Sequence, residues 1–116
     1  MTDITIWHNP RCSKSRNTLA LLEAKGITPQ VIRYLETPPT ATELKRVIKQ
    51  LDLRPYDLLR RGEALCKELG LSKTTPDSEV LAAMVEHPIL IERPVVIAGD
   101  RAVLGRPPEN ALALLD

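Results

Sequence analysis

The first thirty-odd residues constrain the fold more than any other stretch of this chain. A β-prone run, Ile4-Thr5-Ile6-Trp7, stops at the turn signal Asn9-Pro10, and a helical stretch follows from about Ser13 to Lys25. Leu19 and Leu22 give that helix an apolar i, i+3 face, and Gly26 supplies its stop. Val31-Ile32-Arg33-Tyr34-Leu35 reads as a second strand, broken by Pro38-Pro39. Strand, helix and strand in so short a span make the two strands parallel, because the crossover helix returns the chain to the same end of the sheet.

The middle of the chain is predicted to be helical. Thr42 reads as the cap of a helix whose Leu44, Val47, Ile48 and Leu51 form an apolar stripe. Tyr56–Arg61 and Ala64–Leu69 read as two short helices separated by Gly62. A further helix starts at Pro76 or Asp77, turns Val80, Leu81, Met84 and Val85 one way, and ends at His87-Pro88. Val95–Ala98, the pair Gly99-Asp100 and Ala102–Leu104 read as a β-hairpin with a tight turn. A last helix from about Pro107 carries Leu112 and Leu115. Together these elements describe an α/β domain of the thioredoxin type: a mixed sheet covered by helices, with an all-helical insertion over about residues 40–86. The 116 residues are one domain's worth, so residues 1–116 are expected to form a single domain.

Charge removes several classes of function. Sixteen Lys+Arg against fifteen Asp+Glu leave +1, which gives no bulk attraction for nucleic acid or anionic membranes. Aromatic residues are 3% of the chain with no Phe, so base stacking is not an available binding mode. No apolar run approaches the roughly 20 residues of a membrane span, and MTDITIWHNP has an acid and no apolar core of a secretory signal. Two cysteines make no disulfide framework, and the compartment reads as cytosolic. Any anion site must therefore be local.

Cys12 is the residue that points to chemistry. It lies between a strand and a helix, in His8-Asn9-Pro10-Arg11-Cys12-Ser13-Lys14-Ser15-Arg16. The unpaired N–H groups and dipole of a helix's first turn favour negative charge at that place, and the thiolate is the nucleophilic form. A free thiol with a pKa of about 8.5 is roughly 3% ionised at pH 7. Bringing it to about 6.5 takes roughly 2.7 kcal/mol of anion stabilisation. A helix terminus supplies about 0.3–1 kcal/mol, up to ~2. The remainder falls to cations, and Arg11, Lys14, Arg16 and His8 are near in sequence.

Other chemistries are disfavoured by spacing. Ser15 stands where a second cysteine would make Cys-x-x-Cys, so no dithiol couple forms at this turn. Thr18, not Arg, lies six residues after Cys12, so a Cys-x5-Arg phosphate loop is absent. His8, Cys12, Cys66 and His87 have no zinc-like spacing, so no metal is expected. Cys66 reads as a buried structural thiol, with a resolving thiol as the alternative. His87 reads as a helix C-terminal residue. His8 either polarises Cys12 or simply ends the strand.

The motifs taken together resemble a known family. His8-Asn9-Pro10-x-Cys12-x-x-Ser15-Arg16, Leu58-Leu59-Arg60, His87-Pro88-Ile89-Leu90-Ile91-x-Arg93-Pro94 and Gly105-Arg106-Pro107 resemble, in the same order, the glutaredoxin-coupled arsenate reductases of the ArsC family, most of all its short chromosomal members. The resemblance implies Cys12 as nucleophile and Arg60, Arg93 and Arg106 as the arginines that bind the oxyanion. It also implies His8, Ser15 and Arg16 as support for the thiolate, and a cis Arg93-Pro94 bond. Guanidinium suits a tetrahedral oxyanion because its planar fork gives paired, permanently charged donors. Whether Arg60 or Arg61 faces the pocket stays open, with motif alignment favouring Arg60.

Reduction of arsenate to arsenite takes two electrons, and Cys12 supplies only one thiol. By resemblance the second comes from glutathione as co-substrate, with glutaredoxin clearing the mixed disulfide and no bound cofactor. Two other functions compete with this one. An Spx-like redox regulator that binds RNA polymerase shares the motif region, although Ser15 removes the usual Cys-x-x-Cys. A thiol oxidoreductase with another substrate is the second, since no residue by itself names arsenic.

Overall fold

The computed structural model describes residues 3–92, 94–105 and 107–114. The readings for Arg93, Arg106, the Arg93-Pro94 bond and Leu115 lie outside the described residues. The chain divides into two compact units, one made of Met1–Thr37 and Arg93–Asp116, the other of Pro38–Glu92.

The first unit is built on the strands. β1 (Ile4–Trp7), α1 (Ser13–Ala24), β2 (Gln30–Ile32), β3 (Val95–Ala98) and β4 (Arg101–Leu104) are followed by a 3₁₀ helix, Pro108–Leu114. The four-stranded sheet has the order β2-β1-β3-β4. β1 and β2 are parallel, with Ile6 opposite Val31, as the short crossover requires. β3 runs antiparallel to β1, with Val96 opposite Ile6, and β4 antiparallel to β3, with Val103 opposite Val96. This mixed sheet with its strand–helix–strand and hairpin–helix halves is the thioredoxin-like arrangement. Ile4, Ile6, Val96 and Ala98 send alternate side chains into one core, where Leu22 of α1 and Ala111 and Leu114 of the 3₁₀ helix meet them.

Two elements differ from the sequence expectation. β2 ends at Ile32 rather than Leu35, because the Arg33 carbonyl accepts from the N–H groups of both Glu36 and Thr37, each at 2.9 Å, and closes a turn. Tyr34 is buried inside that turn while Val31 and Leu35 stay exposed, as suits an edge strand. The final helix is 3₁₀ and not α, so its buried residues are Ala111 and Leu114 at i and i+3, with Leu112 only half-buried.

The buried face of α1 is also more polar than expected: Ser15, Thr18 and Leu22 point inward, with Leu19 only half-buried. The Thr18 hydroxyl shares its proton between the carbonyls of Lys14 and Gly105, at 2.9 Å each. Gly105 is confined by this contact, since a Cβ there would come 2.8 Å from Thr18 Cγ2 and 2.9 Å from Pro94 Cγ.

The second unit contains α2 (Ala41–Gln50), α3 (Pro55–Leu58), α4 (Ala64–Glu68), α5 (Asp77–Glu86) and a 3₁₀ turn, Pro88–Leu90. Leu44, Val47 and Ile48 of α2 are buried, as are Val80, Leu81 and Met84 of α5. The cap of α2 is Thr40, two residues before Thr42. Thr40 and Glu43 form a capping box in which the Thr40 hydroxyl accepts from Glu43 N–H at 3.1 Å and Glu43 Oε1 accepts from Thr40 N–H at 3.2 Å. The helix expected over Tyr56–Arg61 stops at Leu58, because Leu59 turns extended and bridges to Ile91. Glu92 N–H donates to the Leu58 carbonyl at 2.8 Å and Arg60 N–H to that of Leu90 at 2.6 Å, so the segment spends its backbone groups on a cross-strand pairing. No described helix is long and apolar enough to cross a membrane.

Two substitutions check these contacts. Gly105→Ala should cost about 1–3 kcal/mol in urea unfolding, the usual price of overpacking a site that cannot expand. Thr40→Ala should cost about 1 kcal/mol while Thr42→Ala costs close to none. Equal losses at the two threonines would contradict the assigned cap.

Candidate active site at the start of the first helix

Cys12 is the N-cap residue of α1, with φ −95° and ψ 121°, and is partly exposed. Its N–H donates to the Asn9 carbonyl at 3.0 Å, and its own carbonyl accepts from Arg16 N–H at 3.0 Å, the first bond of the helix. No acidic side chain lies in the first turn, so nothing there offsets the positive end of the helix dipole.

The loop from His8 to Arg11 is held by side chains of the helix that follows it. Ser15 is fully buried, and its Oγ lies 2.7 Å from His8 Nδ1 and accepts from Asn9 N–H at 3.0 Å. Arg16 reaches back to donate from Nη1 to the Pro10 carbonyl at 2.9 Å. Asn9 Oδ1 accepts from Arg11 N–H at 3.0 Å, an Asx turn that fixes the corner. The structure thus brings His8, Ser15 and Arg16 together around the turn that ends on Cys12. Sequence reasoning marked Asn9-Pro10 as a turn but did not name the Asn9 side chain as the acceptor that holds it. It also missed Thr18, whose partner Gly105 is too distant in sequence for any local pattern to reveal.

His8 is not the cation that its position in the sequence suggested. Burial, then the charges of Arg33 and Arg16, hold its pKa below the ordinary 6.5, so the imidazole is neutral at pH 7. Ser15 Oγ, which accepts from Asn9 N–H, keeps its proton and a second lone pair, so it can meet either tautomer of the neutral ring at Nδ1. The positive charge in this segment is carried by Arg11, Lys14 and Arg16, all exposed.

In the second unit Arg60 is half-buried, and its Nη1 pairs with Glu63 Oε2 at 2.8 Å. Arg61 lies over the Tyr56 ring, 5.1 Å from its centroid, and is exposed. The two neighbours are therefore distinguished by their partners, and Glu63, three residues on in the turn before α4, is a counter-ion that sequence reasoning did not name. Cys66 is buried in α4, and His87 caps the C-terminus of α5, its N–H donating to the Ala83 carbonyl at 2.8 Å. Among the described residues no group of three His, Cys, Asp or Glu side chains gathers in a way that could hold a metal ion.

The ArsC family model matches residues 7–114. The chain belongs to the ArsC family. Among ArsC-family relatives, an arsenate reductase of Neisseria meningitidis is 47% identical over 99% of this chain and 100% of its own. YfgD of Escherichia coli, an uncharacterized protein, is 46% identical over 97% of this chain and 96% of its own. The solved arsenate reductase of Vibrio cholerae superposes with a TM-score of 0.94 at 52% identity, covering 97% of this chain and 98% of that one.

The His8 arrangement makes stability depend on pH with a definite sign. The folded pKa is lowered, so the unfolded chain binds the proton more readily below pH 6.5, and stability is lost as pH falls through the folded value. Chemical unfolding should show a decline as pH falls below 6.5, read at pH values above the main carboxylate range. In His8→Asn, where an amide replaces the Nδ1 edge without titrating, that decline should flatten.

Proposed function

We propose that the chain is an arsenate reductase in which the Cys12 thiolate attacks arsenic, with glutathione and glutaredoxin as electron donors. The observation that carries this reading is the placement of Cys12 as the N-cap of α1 at the end of a fully braced loop, in a chain similar throughout to proteins named arsenate reductase. A helix N-terminus free of acidic side chains and rich in Arg and Lys favours both an anionic sulfur and an anionic substrate.

The chemistry follows from electron balance. Arsenate becomes arsenite by gaining two electrons and losing one oxygen as water, while two thiols give up two electrons and two protons and become a disulfide. Cys12 attacks and water leaves. Glutathione then bonds to arsenic and displaces a second oxygen as water. A glutaredoxin thiol takes the glutathione as a mixed disulfide and leaves arsenic(III) on Cys12, and one water cleaves the Cys12–As bond to release arsenite and restore the thiolate. Such a cycle suits a reducing, cytosolic setting, where a thiol pool is maintained. Arg60, with Arg93 and Arg106, binds the oxyanion in this scheme. Each guanidinium offers a fork of donors whose charge does not depend on pH.

A coupled assay with arsenate, glutathione, glutaredoxin, glutathione reductase and NADPH tests the reading, with turnover expected for the wild type and background for Cys12→Ser. Arg60→Ala should raise the KM for arsenate about tenfold or more, the loss of one charge-assisted contact, whereas Arg61→Ala should not. Turnover indistinguishable from background in the wild type would overturn the arsenate assignment and leave a thiol oxidoreductase with another substrate.

A further inference from the structure

Beside the loop that ends on Cys12, the first unit holds a concave surface to which the proposed oxyanion chemistry gives no role. One cleft of about 540 Å³ lies over Leu19 and Ile32, with His8, Arg33, Glu36 and Thr37 on its rim. That volume falls in the range of about 300–1,000 Å³ usual for small-molecule sites. A smaller hollow of about 180 Å³ shares His8, Arg33 and Glu36 with it and is closed by Asn9, Pro10 and Arg11. The wall of the hollow is thus the segment whose next residue is Cys12.

The charges around these cavities are not paired with one another. Arg33 and Glu36 are three residues apart and line the same space, yet among the described residues neither forms an ion pair. Arg11 forms none either. The adjoining cavities thus form a concave surface with exposed Arg33 and Glu36 on both parts, exposed Arg11 on the hollow alone, and Leu19 and Ile32 on the larger cleft. An occupant with two carboxylates, one ammonium group and a short uncharged body would complement it.

We infer that the cleft between the His8–Arg11 loop and the end of β2 is the binding site for the small peptidic thiol, glutathione, that reacts at Cys12. Arg33 and Arg11 take its two carboxylates and Glu36 its ammonium group. This assignment deepens the reading given under Proposed function, because it places the co-substrate required there by electron balance. It also explains why the second thiol need not come from the chain. The site delivers one from the side of the loop opposite in sequence to the helix that presents Cys12.

The test uses a reaction that needs no arsenate. The Cys12 thiolate attacks one sulfur of glutathione disulfide, the S–S bond breaks, a glutathione thiolate leaves, and Cys12 carries the mixed disulfide. The rate is followed by intact mass on the full chain and compared with that for the neutral bis(2-hydroxyethyl) disulfide. The ratio of the two rates cancels any change in the nucleophilicity of Cys12 itself. It should fall about tenfold in Arg33→Ala and in Arg11→Ala, and less in Glu36→Gln, while Arg61→Ala, a cation on the other unit, preserves it. A ratio unchanged in both Arg33→Ala and Arg11→Ala would overturn the proposal, as would equal losses in Arg61→Ala, which would indicate general electrostatic attraction. If the coupled assay shows no arsenate turnover while the ratio still falls in these variants, the arsenate reading fails and the thiol site stands.

Discussion

Ser15 carries a single hydroxyl proton and sits between two groups that it must satisfy, and the geometry around Cys12 follows from how it does so. Its oxygen accepts from Asn9 N–H at 3.0 Å and lies 2.7 Å from His8 Nδ1, where the ring nitrogen and the hydroxyl share one proton between them. The strand end and the loop after it are thereby tied to the first turn of α1. Arg16 adds a second tie through the Pro10 carbonyl. Cysteine is not a favoured N-cap; serine or aspartate in that place would typically be worth about 0.5–2 kcal/mol more to the helix. The chain leaves that stabilisation unused at residue 12 and holds the helix start with side chains from residues 15 and 16. The result puts a sulfur atom where a capping oxygen would ordinarily stand.

The electrostatics of this arrangement are local in origin. With a net charge of +1, the molecule as a whole offers an anion little attraction. Exposed cations such as Arg11, Lys14 and Arg16 act over roughly one Debye length, about 8 Å at physiological salt, so they matter to what sits at the turn and to little else. A neutral His8 is consistent with that division: the charged groups are exposed, and the buried group is the one that forgoes its charge.

Much of the fold was legible because it rests on short-range patterns. β1, β3 and β4 are runs of β-branched and apolar residues bounded by turn residues, and the Gly99-Asp100 turn sits where the hairpin needs it. What escaped was decided by partners distant in sequence. Leu59 has no local reason to leave a helix; it does so because Ile91 offers a bridge. The last helix reads equally well with α or 3₁₀ spacing until the core selects Ala111 and Leu114. Thr40 is the instructive exception, because its capping partner Glu43 lies three residues away and the box was visible in the sequence. At the site, Cys12 stood out from its strand–helix junction alone. The buried polar face of α1, with Ser15 and Thr18, had no hydropathic signature, since those hydroxyls are satisfied by a loop and by Gly105.

Arg60 shows why residue type matters as much as position. A half-buried guanidinium without a partner would be costly, and Glu63 supplies one at 2.8 Å through Nη1. That pairing does not exhaust the side chain, because guanidinium carries five donors in a rigid plane and a monodentate carboxylate uses one nitrogen. The other edge, Nε with Nη2, can still present a fork to a tetrahedral oxyanion. A lysine at residue 60 would face a different choice: its single ammonium centre would serve either Glu63 or the substrate as a point charge, without fixed geometry toward the second. In the proposed reaction the carboxylate therefore acts as an orienting partner, holding one edge of the plane so that the other is aimed before substrate arrives.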